Sequence, residues 1–194
     1  MRPLIVVWPY ALVFWTVMVW AFVPEFRIVS RTSERSATAQ DAGSKLGIVL
    51  GQWIGIAVAF NAPFIWPSAA LPCSLACFWL GIAALISGSL LRRHCWRMLG
   101  KSFTGAVIVH ASQPIVDRGA YRLVRHPSYS AGVLMYLGIG VATGNWISTV
   151  VIVATSAASY AYRVAVEERA LLATLGEPYA AYMRRTRRFI PGLF

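Results

Sequence analysis

Gly119-Ala120-Tyr121-Arg122-Leu123-Val124-Arg125-His126-Pro127-Ser128-Tyr129 is the stretch around which the chain is organised. An imidazole, two guanidinium groups and two phenols crowd together here between long apolar runs. Pro127 biases His126 toward an extended backbone. It also suits the first turn of a helix, where its missing N–H costs nothing. Arg125 and His126 are therefore expected at the foot of a helix that begins near Ser128. A helix foot presents free backbone N–H groups, which suit a carboxylate or another oxygen-rich ligand. The simpler reading of the same residues is a basic anchor at a membrane edge, where Arg, His and Tyr are common.

Outward from this stretch the sequence is apolar. Of 194 residues, 58% are hydrophobic and only 13% charged, which is unusual for a soluble domain. Several runs approach or exceed the roughly 20 residues that cross a bilayer as a helix. The expected class is an all-α integral membrane protein with five transmembrane helices. The net charge of +11 falls between the apolar runs and not on one soluble face. Membrane lipids are therefore expected partners and nucleic acid is not. Cys73, Cys77 and Cys95 are odd in number and form no C-x-x-C, so no disulfide framework is expected. Cys73 and Cys77 share a helix face and read as packing residues, and the run holds no further ligand for a metal.

The five expected spans are 4–23, 46–66, 71–91, 128–143 and 146–166. Pro9 marks a kink or a late start in the first. Residues 24–45 show no apolar period and read as a polar connection. Gly43, Gly47, Gly51 and Gly55 recur every four residues, a face that lets a neighbouring backbone approach closely. Residues 61–72 read as a tight turn at the far surface, and the shape of 98–117 is left open. Spans four and five, joined at Gly144-Asn145, form a helical hairpin. The fifth helix should run on through Glu167 and Glu168 to Leu175 and stop at Gly176. Pro178 then opens a short helix over 179–185. Residues 1–91 thus form a unit of three spans, and 92–194 a catalytic region of connector, hairpin and tail. Lys and Arg concentrate in the first and third connections and the C-terminal region, and the second and fourth connections hold none. The positive-inside rule places the C-terminus and the Tyr121–Tyr129 stretch in the cytoplasm.

Because the hairpin returns to one side, Tyr121–Tyr129 and Arg163, Glu167 and Glu168 should be neighbours. Arg163 and Glu167 lie four apart on one helix face. A plain intrahelical ion pair is the simple alternative. Arg before Glu is the weaker order for such a pair, and charge near the membrane is costly unless it is used. Gly138-Ile139-Gly140 has no strand before it, so it reads as a packing feature and not a nucleotide loop.

Ile115-Val116, Gly119, Tyr121 and Arg125-His126-Pro127-Ser128-Tyr129, followed by Glu167-Glu168, Leu172, Gly176, Tyr179, Tyr182 and Arg188-Phe189-Ile190-Pro191, resemble the signature of the isoprenylcysteine carboxyl methyltransferase family. The resemblance covers about residues 98–194; the first three spans match only as generic hydrophobic helices. It implies S-adenosylmethionine as methyl donor, S-adenosylhomocysteine as product, and a cytoplasmic pocket closed by the C-terminal tail. It also implies that Gln113, Pro114, Ile115, Val116, Tyr121, His126, Pro127, Ser128, Tyr129 and Glu167, with Glu168 beside it, bind the cofactor. Arg163 would orient the acceptor carboxylate, so Arg163 and Glu167 are the expected catalytic pair. Gln113-Pro114 departs from eukaryotic members, which carry other polar residues there.

The chemistry of the residues agrees with these implications. A glutamate can hold the donor's amine, while His, Tyr and helix-foot N–H groups can hold its carboxylate and ribose. A carboxylate acceptor needs no general base; an amine or thiol would, with His126 or Glu168 as candidates. The leading expectation is a membrane methyltransferase acting on the carboxylate of an isoprenylcysteine-like or other lipophilic acceptor that arrives through the membrane. The alternatives are methylation of a phospholipid, amine or thiol, or a non-catalytic scaffold. Transport is disfavoured because the spans hold almost no ionisable groups. The membrane would be the cytoplasmic membrane of a prokaryote or the endoplasmic reticulum of a eukaryote.

Overall fold

The computed structural model describes residues 2–31, 44–100, 109 and 113–190. Six helices carry the described residues: α1 (Tyr10–Arg31), α2 (Ser44–Ile65), α3 (Ser74–Leu99), α4 (Pro127–Ala142), α5 (Trp146–Leu175) and α6 (Glu177–Arg185). Single 3₁₀ turns lie at Leu4–Val6, Pro67–Ala69 and Gly119–Arg122. Two isolated β-bridges are the remaining backbone pairings of note. Leu46–Ile65, α3 and α5 are each long and apolar enough to cross a bilayer. The apolar part of α1, Tyr10–Glu25, is shorter, and so is α4 at 16 residues. At 1.5 Å per residue α4 reaches about 24 Å, against roughly 30 Å for a hydrocarbon core. The described residues therefore contain three candidate spans where the sequence suggests five. Outer faces carry Trp53, Ile54, Phe64, Leu80 and Val150, all more than half exposed, the surface of an integral membrane protein.

Two helix boundaries differ from expectation, and prolines explain why. The connection expected from residue 24 is helical as far as Arg31, with Pro24 inside α1. Proline removes the bond to the carbonyl four residues earlier, which here is Trp20. Arg93 Nη2 donates to that carbonyl, so the helix continues at little cost. Pro63 repeats the device inside α2. The carbonyl it frees, Ala59, accepts from Ser148 Oγ at 2.8 Å. The expected turn over 61–72 accordingly starts later, after Ile65. At the other end α3 runs past residue 91 to Leu99, which carries Arg92 and Arg93 on a helix. Cys73 also departs from the packing expected of it: it is exposed and caps α3 in a left-handed conformation. Residues 32–43, 101–108 and 110–112 lie outside the described residues, so Gly43 and the connector's centre are not placed.

The hairpin forms as expected. Asn145 caps α5 by accepting from the Ile147 and Ser148 amides at 3.0 and 3.2 Å, and its amide donates to the Trp66 carbonyl at 3.0 Å. That second bond ties the hairpin tip to the α2–α3 connection. The glycine face of α2 packs on α5 at Ile152, Thr155 and Ser159. The α4 helix is wedged between α3 and α5. A methyl group on Gly138 would sit 2.5 Å from the Leu85 amide nitrogen and 2.6 Å from the Gly81 carbonyl, so the α3 and α4 backbones touch. Phe14, Phe78, Leu85, Met135, Ile139 and Ile152 fill the core at 0–1% exposure.

Gly138→Ala should therefore push α3 from α4 and lower stability by about 1–3 kcal/mol, the usual cost of overpacking. Gly47→Ala meets only Tyr162 Cδ1 at 3.8 Å and should be neutral. Thermal unfolding of the two variants in detergent tests the difference. Equal midpoints would contradict the close α3–α4 contact.

Candidate active site

The Tyr121–Tyr129 stretch folds as a 3₁₀ turn, Gly119–Arg122, followed by the foot of α4. Gly119 has φ +56° and lies against Met98 at the end of α3, a conformation and a closeness that favour glycine. His126 caps α4 and Pro127 opens it, one residue earlier than Ser128. The tail after α6 lies alongside this stretch. The Arg125 amide donates to the Arg187 carbonyl at 2.8 Å, His126 to Arg188 at 3.1 Å, and Arg187 to Leu123 at 3.1 Å. Tyr182 Oη donates to the Tyr121 carbonyl at 2.7 Å, and Ser130 Oγ to Phe189 at 2.7 Å.

One carboxylate holds these segments together. Glu168 is buried on α5. Its Oε1 accepts from Arg125 Nε at 2.6 Å and lies 3.0 Å from His126 Nε2. Arg188 Nη2 reaches Oε2 at 2.6 Å, and Arg188 Nε reaches Oε1 at 3.3 Å. Arg125 Nη1 goes on to the Thr186 carbonyl at 2.8 Å. Charge-assisted bonds of this kind are each worth about 1.5–3 kcal/mol.

A second group lies one residue away. Tyr129 Oη donates to Glu167 Oε2 at 2.8 Å, and the Arg163 guanidinium, buried one turn earlier on α5, lies beside the same hydroxyl. The structure thus brings Tyr129, Arg163 and Glu167 together across the hairpin. It groups His126 with Glu168, whose carboxylate oxygens both take protein donors. Ser128 is buried and accepts from Arg92. Tyr121 is buried with its hydroxyl against Cys95. Gln113, Pro114, Ile115 and Val116 form irregular chain leading into the 3₁₀ turn, with Pro114 exposed and the others half-buried. Next to them the exposed Asp117 pairs with Arg185 of α6 at 2.8 Å. Burial pushes the Tyr121 and Tyr179 phenols well up, and Tyr182 to about 12. All three stay protonated donors at neutral pH.

Sequence reasoning missed Arg92, Glu25 and Tyr160. Arg92 pairs with Glu25 across α3 and α1, and its guanidinium lies 5.9 Å from the centre of the Tyr160 ring. Arg92 read as one of several basic residues closing a span, and no spacing links it to an acid 67 positions earlier.

A family model described as the isoprenylcysteine carboxyl methyltransferase (ICMT) family matches residues 79–173. That segment contains Arg92, Tyr121, the foot of α4, Arg163, Glu167 and Glu168. By this match just under half of the chain is similar to that family. Protein-S-isoprenylcysteine O-methyltransferase B of Arabidopsis thaliana is 29% identical over 113 residues, 57% of each chain. The Schizosaccharomyces pombe protein-S-isoprenylcysteine O-methyltransferase is 29% identical over 109 residues, 55% of this chain and 46% of that one. A cobalt-zinc-cadmium resistance protein of Cupriavidus metallidurans is 37% identical over 79 residues, 41% of this chain and 36% of that one. The chain spans about half the length of the curated relatives it matches. A solved structure of a eukaryotic intramembrane Ras methyltransferase superposes with a TM-score of 0.56 at 24% identity. It covers 75% of this chain and 52% of that one, and the fold is shared. The tail 186–190 that closes over the α4 foot lies outside the family match.

Glu168→Gln keeps the side chain's shape and removes its charge. Arg125, His126 and Arg188 then lose their common partner, and the tail should open more often. Trypsin cleavage after Arg187 or Arg188 should accelerate about tenfold or more for each 1.4 kcal/mol of closing energy lost. An unchanged cleavage rate would show that the backbone pairing alone holds the tail.

Proposed function

We propose that this chain is an S-adenosylmethionine-dependent methyltransferase that esterifies the carboxylate of an isoprenylcysteine-like or other lipophilic acceptor. The observation that carries the proposal is the meeting of Arg163, Tyr129 and Glu167 at one end of an apolar helix hairpin. A buried guanidinium beside a phenol and a carboxylate offers both signs of charge at the edge of a hydrophobic interior. A donor with an amine and a carboxylate fits the set that Glu167, Tyr129, His126 and Tyr121 provide. When bound, S-adenosylmethionine supplies a methyl group on a sulfonium that departs as a neutral thioether. Of this chain's residues, Glu167 would hold the donor amine, and Tyr129 would fix the glutamate's rotamer. Arg163 would align the acceptor carboxylate through two parallel N–H donors. The apolar walls of α4 and α5 would exclude water from charges that cancel as the ester forms, and alignment is the main task left to the protein. No proton needs to move. Glu168 would act by fixing His126 and the tail, since its oxygens already accept from Arg125 and Arg188 and lie against the His126 ring.

The membrane arrangement belongs to the same reading. The short apolar helices α1 and α4 would cross with α2, α3 and α5, giving five crossings with the tail and the site in the cytoplasm. The distribution of Lys and Arg supports it. Reporter fusions after Phe194 and between Asn61 and Pro72 should then report opposite sides of the membrane.

Purified protein should bind S-adenosylhomocysteine by titration calorimetry. Glu167→Ala should weaken that binding by about ten- to a hundredfold, the loss of one or two charge-assisted bonds. Arg163→Lys keeps the charge but not the fork, so turnover of a lipophilic acid should fall while donor affinity stays near normal. A protein that binds no S-adenosylhomocysteine would end the methyltransferase reading. Faster methylation of an amine acceptor by Arg163→Ala would favour the amine alternative.

A further inference from the structure

Arg92 is used up inside the protein. Its Nε and Nη2 fork onto the Glu25 carboxylate of α1, with Nη2 at 3.0 Å from Oε2. Its Nη1 donates to the Ser128 carbonyl at 2.7 Å and to Ser128 Oγ at 3.2 Å. The guanidinium lies over the Trp96 ring, 5.4 Å from its centre. Arg92 is 8% exposed. We propose that Glu25 and Arg92 form a clamp that positions the first turn of α4, making Glu25 a positioning residue for the donor site although its helix lies outside the family match at 79–173.

The argument rests on what the clamp grips. Ser128 lies between His126, which faces Glu168, and Tyr129, which reaches Glu167. A small tilt of this turn displaces both groups together. Glu168 and the tail hold the turn through Arg125 and His126. Arg92 holds it independently, from α3. A buried ion pair gives little net stability over apolar packing, but a bidentate fork fixes orientation. Glu25 supplies the charge that keeps the fork in one plane, so Nη1 points at Ser128. Glu25 thereby reaches the site without touching it.

The neighbouring Arg93 provides an internal control. It joins α1 and α3 through the Trp20 carbonyl and Ser89 Oγ, and it stacks on Trp20. Its described contacts include none to α4. Loss of Arg93 should loosen α1 from α3 and spare the turn.

The test uses the full chain in detergent, with Glu25→Gln, Arg92→Lys, the double variant and Arg93→Lys. Hydrogen exchange of the amides at 128–131 is read first. Each single clamp variant should speed it about tenfold, the double no more than either single, and Arg93→Lys not at all. S-adenosylhomocysteine affinity is read second and rests on the methyltransferase reading. It should fall about tenfold in the same pattern. Wild-type exchange in Glu25→Gln would overturn the clamp. Faster exchange with unchanged affinity would reduce it to a structural tie and overturn the positioning role. Normal affinity in Glu25→Gln with lost affinity in Arg92→Lys would mean that Arg92 contacts the donor directly, which also overturns it. If the wild type binds no S-adenosylhomocysteine, the methyltransferase reading fails, and exchange alone decides the clamp.

Discussion

The Glu168 carboxylate is the contact on which the site depends. It sits on α5 beyond the part of the hairpin packed by glycines, and it collects Arg125, His126 and Arg188. These donors come from the connector before α4 and from the tail after α6. A carboxylate buried with such partners is stable only while they are present; removing one leaves charge uncompensated in a low-dielectric place. The backbone pairing of 123–126 with 187–188 adds direction to that attraction. Helix foot, tail and long helix are thereby joined into one wall.

The bundle serves this wall by bringing backbones close. Small residues on α2, α3 and α4 let helices pack where lipid offers no hydrophobic drive between them. The α4 helix gains most, since its backbone meets that of α3 at Gly138 and Gly81. Prolines inside α1 and α2 would be liabilities in an apolar medium. The carbonyls they free are answered by Arg93 and Ser148 from other helices. Local weakness is thus turned into tertiary contact. In α1 the contact lies within two turns of the Glu25–Arg92 pair.

The separation of Glu167 from Glu168 shows how adjacent identical residues take different tasks. Successive side chains on a helix point about 100° apart. Glu168 faces the tail and is consumed by cations, while Glu167 faces α4 with Tyr129 and Arg163. One therefore suits holding the protein closed and the other suits a ligand. The sequence motif names both glutamates and cannot divide their roles.

Much of this was legible before any tertiary structure. Apolar run lengths gave the membrane class, Gly144-Asn145 the hairpin turn, and Pro127 and Gly176 the helix ends, because these are local constraints of the backbone and of burial. The i, i+4 spacing put Arg163 and Glu167 on one face, and the spaced motif carried the family resemblance. Helix continuation through Pro24 was not legible, since it depends on a guanidinium from α3. Nor was the Glu25–Arg92–Ser128 chain, in which 67 and 36 residues separate the partners. Sequence determined which segments are helical, apolar or chemically equipped. The tertiary structure decided which charges meet, because pairing between distant segments depends on distances that only packing sets.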